Sequence, residues 1–259
     1  MLTITADTLA TLDAFSKLDR VSREQVITVC SARTYPRSSV VIAHREQTAN
    51  VFFIVSGSVR ATAFTERGRE IAYEDLFAGD MFGELSAIDG KPRTTHVVTL
   101  EESTLITVMQ EQFLGLMKTY PEVTRATLKK VAGVIRFLCD RVYEFGALDV
   151  NSRIRTELLR LAAGDIDDPN RATIPKMPTH QDLANRLATH REAVSRELSR
   201  LEKDGLTQKQ GQSLVINDIE ALSNMINDAR SAQSKMNEPR SVRTCRSVPT
   251  DSGPPGKRD

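Results

Sequence analysis

The sequence predicts an α+β chain in three parts: an N-terminal antiparallel β-barrel or roll, one long helix, and a helical C-terminal domain. Three observations carry this reading. Between residues 35 and 108, short β-rich runs alternate with glycine-containing turns, as in a closed or rolled antiparallel sheet. From Pro121 to Phe145, apolar residues recur at helical spacing. From 151 to 229 the pattern is helical again, but in shorter segments. The 259 residues, 40% apolar and 27% charged, suffice for two compact cores at roughly 150 residues per domain.

Helical periodicity opens the chain, with apolar positions Val21, Val26, Ile27 and Val29. The β-rich runs follow at 40–42, 51–55, 59–64, 70–76, 96–100 and 105–108, punctuated by Ser56-Gly57, Gly79-Asp80 and Asp89-Gly90. Pro121 suits the first turn of a helix, where its missing N–H would be unpaired in any case. Beyond it, Leu128, Val131, Ile135, Leu138, Val142 and Phe145 are separated by 3, 4, 3, 4 and 3 residues. That is the a/d pattern of a coiled-coil seam, which needs a partner helix to cover it. A helix packed on its own domain is the alternative. Lys129, Lys130, Arg136, Asp140 and Arg141 occupy the other face, so a homodimer is the expectation. Next come Ile154, Leu158, Leu159 and Leu161, a polar loop at 164–178, two short helices, a turn at Gly205 and the apolar run 214–216. The expected division is 1–118 for the roll, 119–147 for a dimerisation helix, 148–229 for the C-terminal domain and 230–259 for a tail. That tail, rich in Pro, Ser and Arg, has the composition of a disordered segment.

Several function classes are excluded. Thirty-five Lys and Arg against 34 Asp and Glu give a formal charge of +1, so any nucleic-acid contact must rest on a local patch. The longest apolar run, Val51 to Val55, is far short of the ~20 residues a membrane span needs. No basic segment precedes an apolar stretch near Met1, and a cytoplasmic location is expected. Cys30, Cys139 and Cys245 are too dispersed for a disulfide framework, a CxxC metal pair or a four-cysteine iron–sulfur cluster. No HExxH, Gly-x-Ser-x-Gly, P-loop or GxGxxG occurs, and no enzyme is expected.

The segment from Phe82 to Thr95 carries the first distinctive chemistry. Gly83 permits close backbone approach, and Glu84, Leu85 and Ser86 open one helical turn whose first N–H groups can bind an anion. Arg93, nine residues after Glu84, can complete a phosphate clamp with a charge-assisted fork. Glu84 is wrong for phosphate but suits a sugar hydroxyl. A ligand with one phosphate and a free ribose hydroxyl fits both. The segment, Phe82-Gly83-Glu84-Leu85 followed by Pro92-Arg93-Thr94, resembles the phosphate-binding cassette of cyclic-nucleotide-binding domains. The resemblance implies that Glu84 meets the ribose 2′-hydroxyl, Arg93 the cyclic phosphate, and Thr94 the phosphate or base. It also places Leu138 and Cys139 where well-known bacterial members present Thr and Ser to adenine. Neither is a strong hydrogen-bond partner. Cyclic AMP and cyclic GMP therefore both stand as effectors, with no metal implied.

The second distinctive segment runs from Pro178 to Leu198. Thr179 and Thr189 are candidate N-caps of two short helices joined by a tight turn at Ala188. Leu183, Ala184 and Leu187 face inward from the first; Val194, Leu198 and Leu201 do so from the second. Arg191, Glu192, Ser195 and Arg196 are then left on one exposed face. Two arginines five apart can each present a fork to a guanine edge, and Glu192 can accept from a cytosine amine. Arg191-Glu192-Ala193-Val194-Ser195-Arg196 resembles the recognition helix of the bacterial cyclic-AMP receptor protein family. Residues 201–206 and 214–216 resemble its wing, and Leu148-Asp149-Val150 its interdomain hinge. The resemblance implies a β-roll, a dimerisation helix and a winged helix-turn-helix. It implies a homodimer on double-stranded DNA at a palindromic TGTGA-like site, with RNA polymerase as a further partner. Thr179, His180, Gln181, Thr189 and His190 would join the reading face at the DNA. The alternatives are a regulatory subunit acting through protein contacts, and a family member that is constitutive or gated by another ligand, such as haem on His44 or His96.

Overall fold

The computed structural model describes residues 3–66, 68, 70–164 and 166–236. Two helices, α1 (Ala6–Ala10) and α2 (Arg20–Ile27), lead into β1 (Cys30–Tyr35), β2 (Val40–Ile42), β3 (Val51–Ser56), β4 (Ser58–Phe64), β5 (Glu70–Phe77) and β6 (Met81–Phe82). The one-and-a-half-turn helix α3 (Glu84–Asp89) interrupts the strands before β7 (His96–Thr99) and β8 (Ser103–Val108). The eight strands form two four-stranded antiparallel sheets, ordered β1-β8-β3-β6 and β2-β7-β4-β5. This is the β-roll, and the α+β expectation holds. The apolar run at 51–54 is buried throughout because β3 serves two cores. Val51 and Phe53 pack with Phe15 and Phe113 outside the roll, whereas Phe52 and Ile54 pack with Val59, Leu76 and Val97 inside it.

Two roll strands and one helix were not anticipated. Strand β1 is a half-exposed edge strand, Cys-Ser-Ala-Arg-Thr-Tyr, with too little apolar content to signal itself. Strand β6 is two residues long. Helix α4 (Gln110–Thr119) buries Phe113 and Leu116 on the outer core. Cys30 is half-buried, donates its S–H to the Val26 carbonyl at 3.2 Å, and burial pushes its thiol up to about 12. It behaves as a packing residue. Cys245 lies outside the described residues.

Helix α5 (Pro121–Ala147) runs for 27 residues, about 40 Å at ~1.5 Å per residue. Pro121 occupies its first turn. Asp149 then caps α6 (Val150–Ala162), accepting from the Ser152 N–H at 2.7 Å. The expected polar loop at 164–178 is corrected in part: it contains β9 (Ile166–Asp168) and β10 (Arg171–Ile174). Ala172 and Ile174 are buried and pair with Ile216 and Leu214, an alternation too short to stand out beside flanking Asp and Pro. The helix-turn-helix is α7 (His180–Arg186) and α8 (Arg191–Lys203), and the wing is β11 (Thr207–Gln210) and β12 (Ser213–Ile216). Their core joins Ile154, Leu158, Leu183, Leu187, Val194 and Leu201, all fully buried. The final helix α9 (Ile219–Met236) continues past residue 230, where the tail was expected to begin. Buried Leu222 and Ile226 anchor it, and Arg230 lies over the Tyr143 ring, 5.1 Å from its centroid. The remainder of the expected tail, 237–259, lies outside the described residues.

A chain of buried ion pairs fixes the C-terminal domain against the roll. Arg60 on β4 holds Asp75 on β5 with both arms of its fork, at 2.7 and 3.0 Å, and reaches Asp182 on α7 at 2.6 Å. Asp75 also accepts from Arg186 on α7 at 2.5 Å, and Arg186 continues to Glu157 on α6 at 3.3 Å. Glu157 binds Arg141 on α5 at 2.9 Å, and Arg141 and Arg160 share Glu144 and Glu157 between them. Burial opposes the charge on Arg60, but the bonds from Asp75 and Asp182 outweigh it and raise its proton affinity.

Ala188, in the turn between α7 and α8, adopts a left-handed conformation with φ +48°. That costs an L-residue about 1–2 kcal/mol, whereas glycine there gives back about 0.5–1 kcal/mol through its freer unfolded chain. Ala188→Gly is therefore expected to stabilise the chain by about 0.5–1 kcal/mol. Chemical denaturation checks this, and a lower midpoint for the variant would refute it.

Candidate ligand pocket and DNA-reading surface

A cavity of about 330 Å³ lies between the roll and α5. Gly83, Glu84, Leu85, Ser86, Arg93 and Thr94 all line it, together with Lys130, Val134, Phe137 and Leu138 from α5. Gly83 sits at φ +83° as the N-cap of α3, and a Cβ there would lie 2.8 Å from Arg93 Nη1 and 2.9 Å from the Asn50 carbonyl oxygen. Only glycine fits, on both counts. Because α3 starts at the cavity wall, the unpaired N–H groups of its first turn lie there too.

Arg93 is almost wholly buried, and its guanidinium splints the loop around it. Nη1 donates to the Gly83 carbonyl at 2.8 Å, Nη2 to the Asn50 carbonyl at 2.7 Å, and Nε to Thr48 Oγ1 at 3.1 Å. Five N–H donors less these three bonds leave two for an anion. Burial disfavours the Arg93 charge, with Glu46 and Glu84 acting against that effect. An anionic ligand would relieve the same cost. Glu84 is 5% exposed and burial lifts its carboxyl above the ordinary carboxylate range, while its own backbone N–H and Lys130 act to lower it. Cys139 is exposed on α5 and is not among the residues that line the cavity in this chain. The helix rotates it about 100° from Leu138, away from the roll. Lys130, Val134 and Phe137 take that wall instead. Their spacing of 4 and 3 residues is a second helical stripe, legible beside the seam but not singled out by the sequence reading. Asn50 and Thr48 carried no comparable signal.

His44 and His96 lie outside this cavity; the His44 N–H donates to His96 Nδ1 at 3.3 Å, and their rings are 5.9 Å apart. Among the described residues no His, Cys, Asp and Glu group has the arrangement of a metal site.

At the other end, Thr179 caps α7 in a capping box: its Oγ1 accepts from the Asp182 N–H at 3.1 Å and Asp182 Oδ2 accepts from the Thr179 N–H at 3.2 Å. Asp182 Oδ1 is the oxygen bound by Arg60, so one carboxylate both starts the helix and ties it to the roll. On α8, Arg191, Glu192 and Arg196 are exposed. Ser195 is half-buried, and its Oγ meets His180 Nδ1 at 2.7 Å, which joins α8 to α7. Burial, then the Arg191 and Lys209 charges, hold the His180 imidazole below its ordinary proton affinity. Gln181 is exposed and donates to Asn185 Oδ1 at 2.9 Å. Thr189 is 7% exposed and precedes the helix, and the exposed His190 takes the N-cap position. The expected Thr189 cap is thereby corrected: the left-handed turn at Ala188 delays α8 by one residue and turns Thr189 inward.

A β-roll with a cavity against one long helix, followed by a winged helix-turn-helix, has the architecture of a DNA-binding transcription regulator. Residues 32–120 match the cyclic nucleotide-binding domain and residues 152–225 the Crp-like helix-turn-helix domain. The chain belongs to the cyclic-AMP receptor protein family of transcription regulators. It is 26% identical over 190 residues to a CRP-like cAMP-activated global transcriptional regulator of Mycobacterium tuberculosis, covering 73% of this chain and 85% of that protein. It is 27% identical over 198 residues to the cAMP-activated global transcriptional regulator CRP of Escherichia coli O157:H7, covering 74% and 92%. The fold is shared with a CooA mutant from Carboxydothermus hydrogenoformans at a TM-score of 0.72 and 18% identity, over 83% of this chain and 95% of that one. It is shared too with the c-di-GMP responsive regulator CLP of Xanthomonas campestris at 0.65 and 22%, over 76% and 99%. No helix of the described residues is long and apolar enough to cross a membrane.

Because burial raises the Glu84 pKa in the folded chain, its contribution to stability is full in acid and is lost as pH rises through the folded value. Glu84→Gln removes that loss. The variant is expected to melt above the parent near neutrality, with the gain vanishing in the ordinary carboxylate range. Thermal melts from about pH 4 to about pH 8 check it, and a difference independent of pH would count against the assignment.

Proposed function

We propose that the chain is a cyclic-nucleotide-gated, sequence-specific DNA-binding regulator that acts in the cytoplasm as a homodimer. The observation that carries the ligand half is the burial of Glu84 and Arg93 at one cavity, where no ion pair joins them. Two opposite charges held apart in a dry wall suit a ligand with a sugar hydroxyl at one point and a phosphate at another. In this reading Glu84 accepts from the ribose 2′-hydroxyl, and Arg93 and the first turn of α3 hold the cyclic phosphate. Thr94 adds a hydroxyl. Titration calorimetry with cyclic AMP and cyclic GMP tests it directly, and absence of binding by both would end the reading.

The dimer is supported by the apolar residues that α5 leaves in solvent. Leu128, Ile135, Leu138, Val142 and Phe145 are each more than 40% exposed, although they share one apolar stripe of the helix. A second copy of α5 covers such a stripe. Leu138→Asp would bury carboxylates at that seam, at several kcal/mol per ion, and is expected to dissociate the dimer. Sedimentation of parent and variant measures this; an unchanged dimer would mean that the stripe is not the seam.

For DNA, a two-fold dimer presents two copies of α8 to successive major grooves, so the site is a palindrome with TGTGA-like half-sites. Arg191 and Arg196 address guanines, and Glu192 a cytosine. Thr179 and Gln181 lie at the start of α7, where phosphate contacts are made. RNA polymerase is the partner of the DNA-bound dimer in this reading. Arg191→Ala is expected to cost about 1–3 kcal/mol per half-site and to relax preference at one base pair. Binding-site selection at one fixed salt concentration measures both, and an unaltered consensus would remove Arg191 from the contact.

A further inference from the structure

We infer that Glu74 and Lys130 read the base of the effector, and that the pair selects guanine, so that cyclic GMP is the preferred ligand. The inference rests on the cyclic-nucleotide reading above and gives it a base. Both side chains line the cavity. Lys130 Nζ, on α5, donates to Glu74 Oε1 at 3.1 Å and to Oε2 at 3.3 Å, and the two side chains are only partly exposed. The pair therefore bridges α5 to β5 at the rim of the pocket. Across the strand ladder, Glu74 faces Ala61, whose single methyl leaves the carboxylate clear on that side.

The other walls leave this pair the work of reading an edge. On α5 the neighbours Val134, Phe137 and Leu138 carry no hydrogen-bonding group. Phe137 offers instead a flat face for a purine ring. Arg93 and Glu84 are committed to the phosphate and the ribose, and Thr94 and Thr95 adjoin Arg93 in sequence. Each threonine, Tyr73 or Ser86 hydroxyl presents a single oxygen to a base edge; with Glu84 on the ribose, Glu74 is the carboxylate that sets two parallel acceptors beside a cation.

Guanine matches that array. Its N1–H and N2–H lie side by side and can donate to the two carboxylate oxygens, while its O6 accepts from Lys130. Adenine offers one donor, the N6 amine, to the carboxylate and one acceptor, N1, to the lysine. Its match is two bonds against three. A charged hydrogen bond in such a site corresponds to about tenfold or more in affinity.

Calorimetric titration of the full chain with cyclic AMP, cyclic GMP and the cyclic monophosphate of inosine, which lacks the 2-amino group, tests the inference. The parent is expected to bind cyclic GMP about tenfold or more tighter than either cyclic AMP or the inosine analogue, each of which keeps two of the three bonds. Glu74→Gln keeps the shape but replaces one acceptor with a donor. It is expected to weaken cyclic GMP by about tenfold while changing cyclic AMP by less than about threefold. Lys130→Met is expected to weaken all three, since each gives the lysine an acceptor. A parent that binds cyclic AMP as tightly as cyclic GMP, or a Glu74→Gln variant that loses both by one factor, overturns the base assignment alone. Binding of no cyclic nucleotide overturns it together with the reading on which it rests.

Discussion

The position of the DNA-reading helix depends on a set of buried charges that must be paired as a group. Arg60, Arg141, Arg160 and Arg186 alternate with Asp75, Glu144, Glu157 and Asp182 across β4, β5, α5, α6 and α7. Removing one partner from such a set strands another charge in low dielectric, which costs far more than an exposed pair would. The two domains are therefore joined by interactions with strict geometry, whereas an apolar interface would tolerate sliding. Asp182 illustrates how local and global structure meet, since its two oxygens close the α7 capping box and bind Arg60.

The strands that hold these charges also form the pocket. In the β4–β5 ladder, Arg60 is opposite Asp75 and the next rung sets Ala61 opposite Glu74. The first rung faces the helix-turn-helix, and the second faces the cavity. Side chains on neighbouring rungs point to opposite sides of a sheet, so the pocket and the interdomain contact share one piece of backbone. A shift of that backbone on either side is felt on the other without any long chain of intermediates. Helix α5 is shared in the same way, with one stripe on the cavity, one in solvent and its last turns in the charge set.

Much of this was legible from residue patterns. The β-roll and the inward faces of α7 and α8 follow from alternation and period 3.6, because each buries most of one apolar face, and the long helix follows from its period-3.5 stripe, which this chain leaves exposed. Gly83, Glu84 and Arg93 were legible as chemistry, being close in sequence and unusual together. What escaped had physical causes. Strand β1 gains its place from pairing with β8, β10 from pairing with β12, and β9 from pairing with β10, rather than from a long apolar run. Thr189 sits one residue away from its expected cap because a left-handed alanine precedes it. Arg60, Asp75 and Arg186 are far apart in sequence and read as ordinary surface charges until the fold brings them together. Asn50 contributes only its carbonyl, which no sequence pattern distinguishes.

The splint formed by Arg93 has a consequence for descent. Two of its bonds go to main-chain carbonyls of Gly83 and Asn50, and these hold the loop through contacts within the chain itself. Selection on this arginine therefore has two sources, the anion it can bind and the loop it keeps in shape. A lineage that exchanged its effector for an uncharged one would still be under pressure to retain Arg93, and glycine at 83 with it. The pair can outlive the ligand that first favoured it.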